Sequence, residues 1–486
     1  MAPTPTPTPT PTTLRLLADL PAHESAAWSV SWNPVLPILA SCSTDQHVRL
    51  FRFSHPSSPS PSSSTAPPTF TLADNINTGH RRTLRQIAWS PNGRIFATAS
   101  FDATIGIWEH ITPRHDPEGE LEDGDEGDKP ASDWDCVGTL EGHDSECKSV
   151  AFSPQGHLLA SCSRDKSVWI WECIQPPPPE SLPEWKQAMH DGDSPEFECL
   201  SVQMSHSQDV KKVLFHPDPS RELLVSASYD DSIKFFRDDP SDDWYCARTL
   251  PEAHKGTIWD LAFSPCGRFL ASCSDDNTIH IWRDVGPLAP EQRAAAAAAA
   301  AAASTEKEKE KEAGAGATAE EKWILVGKLA GYHSRTIYAL SWAADPADLS
   351  PARERSLGRL ASAGGDGRIN VFELTEPEQA WDPTKPVSSP TTLSPTHTLL
   401  TTLPSAHGVS DINSLAFAPT SYPSAISTQS RFQEIDDDAD RAKGAMGHLL
   451  ASCADDGSVR VWVLPGCSWY ESEGRGIGRD GEVLER

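Results

Sequence analysis

Residues Leu159–Glu172 have the sequence LASCSRDKSVWIWE, which is the pattern of two short β-strands joined by a tight turn. Leu159–Ser163 is apolar and small, Arg164–Lys166 is polar, and the alternation of apolar side chains resumes at Val168. A two-stranded hairpin cannot bury its own apolar faces, so it needs further strands to pack against. The fold therefore depends on whether this hairpin recurs along the chain.

The hairpin recurs seven times with a fixed internal spacing. In each copy a strand of small residues precedes a turn aspartate, and an aromatic residue follows that aspartate six positions later. The small-residue strands are 39–43, 96–100, 159–163, 224–228, 270–274, 360–364 and 450–454. The aspartate and aromatic pairs are Asp45 and Phe51, Asp102 and Trp108, Asp165 and Trp171, Asp230 and Phe236, Asp276 and Trp282, Asp366 and Phe372, and Asp456 and Trp462. Such regularity indicates a repeat array.

A histidine precedes each copy, and an apolar strand follows the histidine. These histidines are His23, His80, His143, His206, His254, His333 and His407. The whole pattern resembles WD40 repeats, and seven units imply an all-β, seven-bladed β-propeller. In blade 3 the resemblance implies a structural hydrogen-bond network of His143, Ser161, Asp165 and Trp171. Blades 1, 4 and 6 have Phe in place of Trp, so we expect a shorter network there, because phenylalanine has no indole donor.

The start of the chain is expected to close the propeller. Thr13–Leu20 has strand alternation, whereas no comparable strand follows Trp462, so we predict that the N-terminal strand completes blade 7. The propeller is predicted to span 13–465, between a disordered Pro/Thr-rich head at 1–12 and a flexible tail at 466–486. We expect disordered low-complexity insertions at 54–69, 110–132, 173–195, 284–321, 343–357, 375–396 and 420–447.

All seven predicted insertions lie at the same face of the propeller. Five join the third and fourth strands of a blade, and two join the first and second strands. The opposite face is built from second-to-third turns and fourth-to-first loops, and it is free of long insertions. This free face is a candidate partner surface. The alternative, that loops on one face simply tolerate growth, stays open.

Composition limits the class of protein. The formal net charge of -28 argues against nonspecific binding to nucleic acid or to an anionic membrane. No apolar run is long enough to span a bilayer, and the first residues lack the features of a secretory signal. The 11 cysteines are an odd number, and several lie in strand patterns. We therefore expect reduced thiols and a cytoplasmic and nuclear location.

The sequence contains no P-loop, no nucleophile elbow and no H-E-x-x-H motif. The repeated histidines occupy equivalent positions around a ring, so they are expected to lie far apart. Cys42, Cys162, Cys273 and Cys453 are likewise equivalent, and the chain has no C-x-x-C pair. We predict that the protein is not an enzyme and holds no metal or other cofactor.

The repeat register identifies the side chains of the free face. Two positions per blade contribute, one at the start of the first strand and one just before the turn aspartate. The candidate partner-binding residues are Arg164, Arg85, Lys148, Lys211, Phe101, Tyr229, Trp28, Trp259 and Tyr338. Aromatic residues and arginine are typical of interaction hot spots. A basic patch on an acidic protein indicates an acidic partner segment or a terminal carboxylate. Alternatively, some of these aromatic side chains pack against neighbouring loops.

Several runs are more distinctive than a generic repeat, among them 99–109, 162–172, 206–217, 226–246 and 256–283. They are similar to the WD40 subunit of the cytosolic iron–sulfur protein assembly targeting complex. This resemblance implies an adaptor that joins a small α/β partner and a HEAT-repeat partner, and that helps deliver clusters to cytosolic and nuclear apoproteins, the clients. In that family an arginine of the S-R-D-K turn is associated with function, and here it is Arg164.

Two other kinds of propeller are alternatives. A substrate receptor of a cullin-type ubiquitin ligase often ends a blade with W-[D/E]-x-[R/K]. The residues after Trp108 and Trp171 do not fit that pattern. A chromatin-associated peptide-binding propeller favours an acidic central funnel, whereas the register places a basic arc on the free face.

Overall fold

The computed structural model describes residues 13–54, 68–110, 134–174, 194–239, 243–286, 322–345, 355–377, 393–420 and 448–464. The predicted head, the predicted tail and most of the predicted insertions lie outside the described residues. Within them the regular elements are 28 β-strands. The described residues contain no helix that is long and apolar enough to cross a membrane.

The strands form seven antiparallel sheets of four strands each. The strands of blades 1 to 3 are β2 (Ala27–Trp32), β3 (Ile38–Ser43), β4 (His47–Ser54), β5 (Thr69–Asn77), β6 (Leu84–Trp89), β7 (Ile95–Ser100), β8 (Ile105–His110), β9 (Trp134–Leu140), β10 (Cys147–Phe152), β11 (Leu158–Ser163), β12 (Val168–Ile174) and β13 (Glu196–Gln203). Those of blades 4 and 5 are β14 (Val210–Phe215), β15 (Leu223–Ser228), β16 (Ile233–Arg237), β17 (Tyr245–Leu250), β18 (Ile258–Phe263), β19 (Phe269–Ser274), β20 (Thr278–Asp284) and β21 (Trp323–Ala330). Those of blades 6 and 7 are β22 (Ile337–Ala343), β23 (Ser356–Gly364), β24 (Ile369–Thr375), β25 (Thr396–Leu403), β26 (Ile412–Phe417), β27 (Leu449–Ala454), β28 (Val459–Val463) and β1 (Arg15–Leu20). The predicted seven-bladed β-propeller is confirmed.

The core lies between the blades rather than inside any one of them. Each pair of adjacent blades shares one cluster of buried apolar side chains. The second strand is buried along its whole length in six blades, for example Leu158–Ser163, and in blade 6 from Leu357 onward, which is why Ala, Ser and Cys recur there. The terminal aromatic residue of each blade packs into the cluster shared with the preceding blade, as Trp171 does against blade 2. The repeated aromatic residue therefore joins the blades into one structure.

The N-terminal strand closes the ring, as predicted. β1 pairs antiparallel with β28, and Leu20 lies opposite Val459. The side chains of Leu14 and Leu20 are buried against the neighbouring blades. Beyond the strand, the His23 N–H donates to the Gly457 carbonyl at 2.9 Å. Blade 7 is thus assembled from both ends of the described chain, and the edge of β28 is covered by β1.

One backbone hydrogen bond recurs in all seven blades and presents the side chains of the free face. The donor is the N–H of the residue just before the turn aspartate. The acceptor is a carbonyl just ahead of the first strand, and the two atoms lie 2.8 to 3.1 Å apart. The donor and acceptor residues are Thr44 and Ala26, Phe101 and Thr83, Arg164 and Glu146, Tyr229 and Asp209, Asp275 and Thr257, Gly365 and Thr336, and Asp455 and Asp411. Each blade therefore places three residues together at the free face, which we call the turn face from here on. The opposite face is called the loop face.

Candidate partner-binding site

A hydrogen-bond network fixes the turn of blade 3 that carries Arg164. The carboxylate of Asp165 only accepts, so His143 Nδ1–H donates to Asp165 Oδ2 over 2.8 Å. His143 Nε2 then accepts from the Ser161 hydroxyl over 2.9 Å, and Trp171 Nε1 donates to the same hydroxyl over 3.0 Å. The buried indole is thereby tied to the exposed turn, which limits the positions that the Arg164 backbone can adopt.

The network differs among blades, and the terminal aromatic residue explains the difference in blades 1, 4 and 6. In blades 1 and 4 the histidine, serine and aspartate bonds form, and the buried Phe51 and Phe236 supply no donor. In blade 6 the side chain of Asn370 instead donates to His333 Nε2 over 2.9 Å. In blade 7 His407 Nδ1 bonds the Ser458 hydroxyl over 2.6 Å.

Among the described residues, one group of three side chains has the ligand atoms for a metal ion within 4.8 Å of one another, namely His254, Asp276 and His280. Two of them already belong to the blade 5 network, because His254 bonds Asp276 through Nδ1 and Ser272 through Nε2. The His280 ring stacks on the His254 ring, with centroids 3.8 Å apart. A metal would have to replace these hydrogen bonds, so the arrangement is better explained as part of the repeated network.

The turn face has a cavity of about 330 Å³ at its centre. Every blade contributes the residue at the start of its first strand, which is Asn413 in blade 7, so the cavity lies on the axis of the propeller. Its lining, which we call the mouth, consists of Trp28, Arg85, Phe101, Lys148, Lys211, Trp259, Tyr338, Asp411, Asn413 and Asp455. Seven of the nine residues proposed from the sequence are therefore together in one cavity. Arg164 and Tyr229 lie outside the lining, and both side chains are exposed.

Blades 2 to 4 form a basic side of the mouth in which most cations have a carboxylate partner. Lys148 Nζ lies 2.6 Å from Glu146 Oε2 and 4.0 Å from the centroid of the Phe101 ring. Lys211 Nζ lies 3.2 Å from Asp209 Oδ2. It also lies 5.1 Å from the Trp259 ring and 5.5 Å from the Tyr229 ring. These lysines are held by both ion pairs and cation–π contacts, so their positions are set before a partner binds.

Arg85 differs from the other cations of the basic side. Its guanidinium lies over the Trp28 ring at 5.0 Å from the centroid, and the Trp28 indole is fixed by a 2.8 Å bond to the Thr44 hydroxyl. No described residue forms an ion pair or a hydrogen bond with the Arg85 guanidinium. Burial lowers the pKa of this group from its ordinary high value. The mouth thus holds a partly desolvated cation whose side chain lines the cavity.

Blade 7 forms an acidic side of the mouth, with Asp455 at the turn position of the repeat register and Asp411 two residues before the first-strand position. Asp455 accepts from Asn413 Nδ2 over 2.8 Å, and Asp411 lies 3.4 Å from Arg335 Nη1. The Trp259 and Tyr338 rings meet edge to face between the two sides, with centroids 5.2 Å apart. Some of the candidate aromatic residues therefore pack on each other. Asp411 occupies the same repeat position as Glu146, so a third repeat position would have revealed it.

Comparison with known proteins agrees with this architecture. A family model described as "WD domain, G-beta repeat" matches residues 14–52, 73–109, 134–172, 197–237, 244–283 and 444–463. A protein of Mycosarcoma maydis named "Probable cytosolic iron-sulfur protein assembly protein 1" is 45% identical over 93% of this chain and 93% of its own length. Proteins of the same name from Cryptococcus neoformans and Aspergillus flavus are 36% and 33% identical, over 92% and 93% of this chain and 98% of their own lengths. The resemblance seen in the sequence is confirmed: the chain belongs to the WD40-repeat family of cytosolic iron–sulfur protein assembly protein 1.

Proposed function

We propose that this chain is a non-catalytic adaptor of cytosolic iron–sulfur protein assembly, and that it binds its clients at the mouth of the turn face. The clients are iron–sulfur apoproteins of the cytoplasm and nucleus, and the cluster is their cargo. The partners are the other subunits of the targeting complex, a small α/β protein and a HEAT-repeat protein. Nucleic acid and membranes are not proposed as partners, since the net charge of -28 disfavours both.

The main support for this binding site is that one side chain from every blade lines a single cavity. A cavity of about 330 Å³ with aromatic walls accommodates a few side chains of an extended segment. Arg85 supports an acidic segment in particular, because its guanidinium has no carboxylate partner among the described residues. A client carboxylate placed there gains a charge-assisted hydrogen bond without breaking an existing ion pair.

The charge distribution also favours one orientation of the bound segment. Its acidic groups face Arg85 and Lys148, and a basic group lies toward Asp411 and Asp455 on the acidic side of the mouth. A segment bound in the reverse orientation places like charges together on both sides, which costs affinity. This is how the mouth selects clients without performing any chemistry on them.

The test of this function is recovery of proteins from native cytosol by the full chain carrying an affinity tag. We expect the wild-type protein to recover targeting-complex subunits together with iron–sulfur apoproteins. We also expect it to restore cytosolic iron–sulfur enzyme activity in cells that lack their own counterpart. Recovery of cullin ligase subunits or histones, with no iron–sulfur protein, would contradict the proposal.

A further inference from the structure

One carboxylate at the edge of the mouth is shared by three cations from two blades. Glu146 Oε2 lies 2.6 Å from Lys148 Nζ, and Glu146 Oε1 lies 3.0 Å from Arg82 Nη2 and 3.7 Å from Arg164 Nη1. The Glu146 side chain is only 14% exposed, whereas those of Arg82 and Arg164 are 55% and 59% exposed. A shielded anion therefore lies beneath two arginines that face solvent.

Glu146 also holds the turn that carries Arg164 through its backbone. The Arg164 N–H donates to the Glu146 carbonyl over 3.0 Å. On the other side, Arg82 Nη1 donates to the Phe101 carbonyl over 2.9 Å, so Arg82 joins the turn of blade 2 to Glu146 of blade 3. The side chain and the backbone of Glu146 thus act on the same turns.

We propose that Glu146 is the positioning residue of the client site, because it gathers Arg82, Lys148 and Arg164 into one cationic cluster that a client's acidic segment meets as a unit. The cluster carries three positive charges and one negative charge. Without the carboxylate, three like charges lie close together and repel, and the two exposed arginines lose the contact that restrains them. This inference rests on the proposed function.

The equivalent acidic residues of other blades lack this arrangement. Asp209 is the ion-pair partner of Lys211, and Asp411 is that of Arg335. Glu146 is charged as this role requires. Burial raises the pKa of its carboxyl, but the hydrogen bonds and charges of Lys148 and Arg82 lower it by more, so the net pKa lies below its ordinary value. The three cations are then paired with an anion at neutral pH.

The positioning role predicts a change in binding affinity opposite to the one expected from net charge alone. Glu146→Gln makes the surface more positive, so it would strengthen the binding of an acidic segment if net charge alone mattered. If Glu146 positions the arginines, the same change weakens binding. Glu222→Gln is the matched control. Glu222 lies at the loop face, and among the described residues its one ion-pair partner is His157.

The experiment measures the affinity of the full chain for an iron–sulfur apoprotein that the wild-type protein recovers from cytosol. We expect Glu146→Gln to weaken binding about tenfold, which corresponds to the loss of one or two well-placed charge-assisted contacts. We expect Glu222→Gln to bind as the wild type does. Glu146→Asp keeps the charge on a shorter side chain and is expected to recover part of the affinity.

A mutational cycle separates positioning from a change in stability. In a chain that already carries Arg164→Gln, the added Glu146→Gln is expected to cost much less affinity than it does alone, because the arginine that it positions is absent. An equal loss in both backgrounds would overturn the positioning role, as would unchanged or tighter binding by Glu146→Gln alone. If the wild-type chain binds no apoprotein, both this inference and the proposed function fail.

Discussion

A chain lacking residues 1–20 is expected to lose at least about 4 kcal/mol of folding free energy relative to the full chain. The deletion removes β1, and with it the buried side chains of Leu14 and Leu20. It also leaves the backbone groups of β28, now an exposed sheet edge, without their partner strand. We further expect the shortened protein to aggregate, because an unpaired β28 offers a template for strands of other molecules.

The matched control is a deletion of residues 1–10, which leaves β1 and Leu14 in place. Thermal melting of the two deletions and the full chain, monitored by circular dichroism and by light scattering, checks this prediction. The shorter deletion is expected to melt as the full chain does. Equal melting temperatures for all three proteins would show that the N-terminal strand contributes nothing to ring closure.

Acidification is expected to destabilise the protein in two stages, because three of the repeated histidines and all seven turn aspartates have lowered pKa values in the folded state. Burial is the largest effect at His23, His206 and His407, and it leaves the pKa of each below its ordinary value, at about 4 for His407. A histidine with a lowered folded-state pKa binds fewer protons when folded than when unfolded. Stability therefore falls as the pH drops below about 6.5, the pKa of an unfolded histidine.

The second stage is the loss of stability that follows protonation of the turn aspartates. At Asp165, burial raises the pKa of the carboxyl, but the hydrogen bonds from His143 and Ser167 lower it by more, so the net pKa lies well below its ordinary value. The same net direction holds for Asp45, Asp102, Asp230, Asp276, Asp366 and Asp456. Their contribution is complete above about pH 4 and is lost as the pH falls further. After a discount for solvent screening, each aspartate contributes about 1 kcal/mol to the folding free energy. Protonation of all seven therefore costs several kcal/mol of stability.

The measurement is the melting temperature of the full chain from pH 7 to pH 2.5 at constant ionic strength. Asp165→Asn serves as the comparison. It is expected to melt lower than the wild type at pH 7 and to lose less stability between pH 4 and pH 2.5, because one of the titrating carboxyls is gone. A melting temperature that stays constant between pH 7 and pH 3 would contradict this role of the network.

The sequence was sufficient for the fold because its determinants are local and repeated. The six-residue spacing from Asp165 to Trp171 lies within one hairpin, and the same spacing in every blade left little freedom in strand number. The outer strands were less predictable. Leu72 and Leu325 are partly exposed, and each lies opposite the terminal aromatic residue of its own blade. A partly exposed apolar side chain does not follow the burial pattern of a strand, so only the pairing with the aromatic residue shows why these positions are apolar.

The candidate site could be predicted only in part. The register correctly places Arg85, Lys148 and Lys211 around one cavity, because residues at equivalent positions of a ring meet at its axis. The pairing of Arg82 with Glu146 joins an exposed arginine to a shielded carboxylate 64 positions away, and no periodicity indicates it. Of the two carboxylates of the acidic side, Asp455 occupies the turn position of the register, whereas Asp411 lies at neither register position and was missed.

The most direct test of the central claim, that clients bind at the turn face, is client recovery by Arg164→Glu compared with Arg94→Glu. Both arginines are well exposed, but Arg94 lies at the loop face, where it pairs with Glu109. After equal melting temperatures are established, we expect Arg164→Glu to lose iron–sulfur apoproteins while keeping the targeting-complex subunits, and Arg94→Glu to keep both. Recovery of apoproteins by Arg164→Glu at the wild-type level would contradict the claim and place the client site elsewhere.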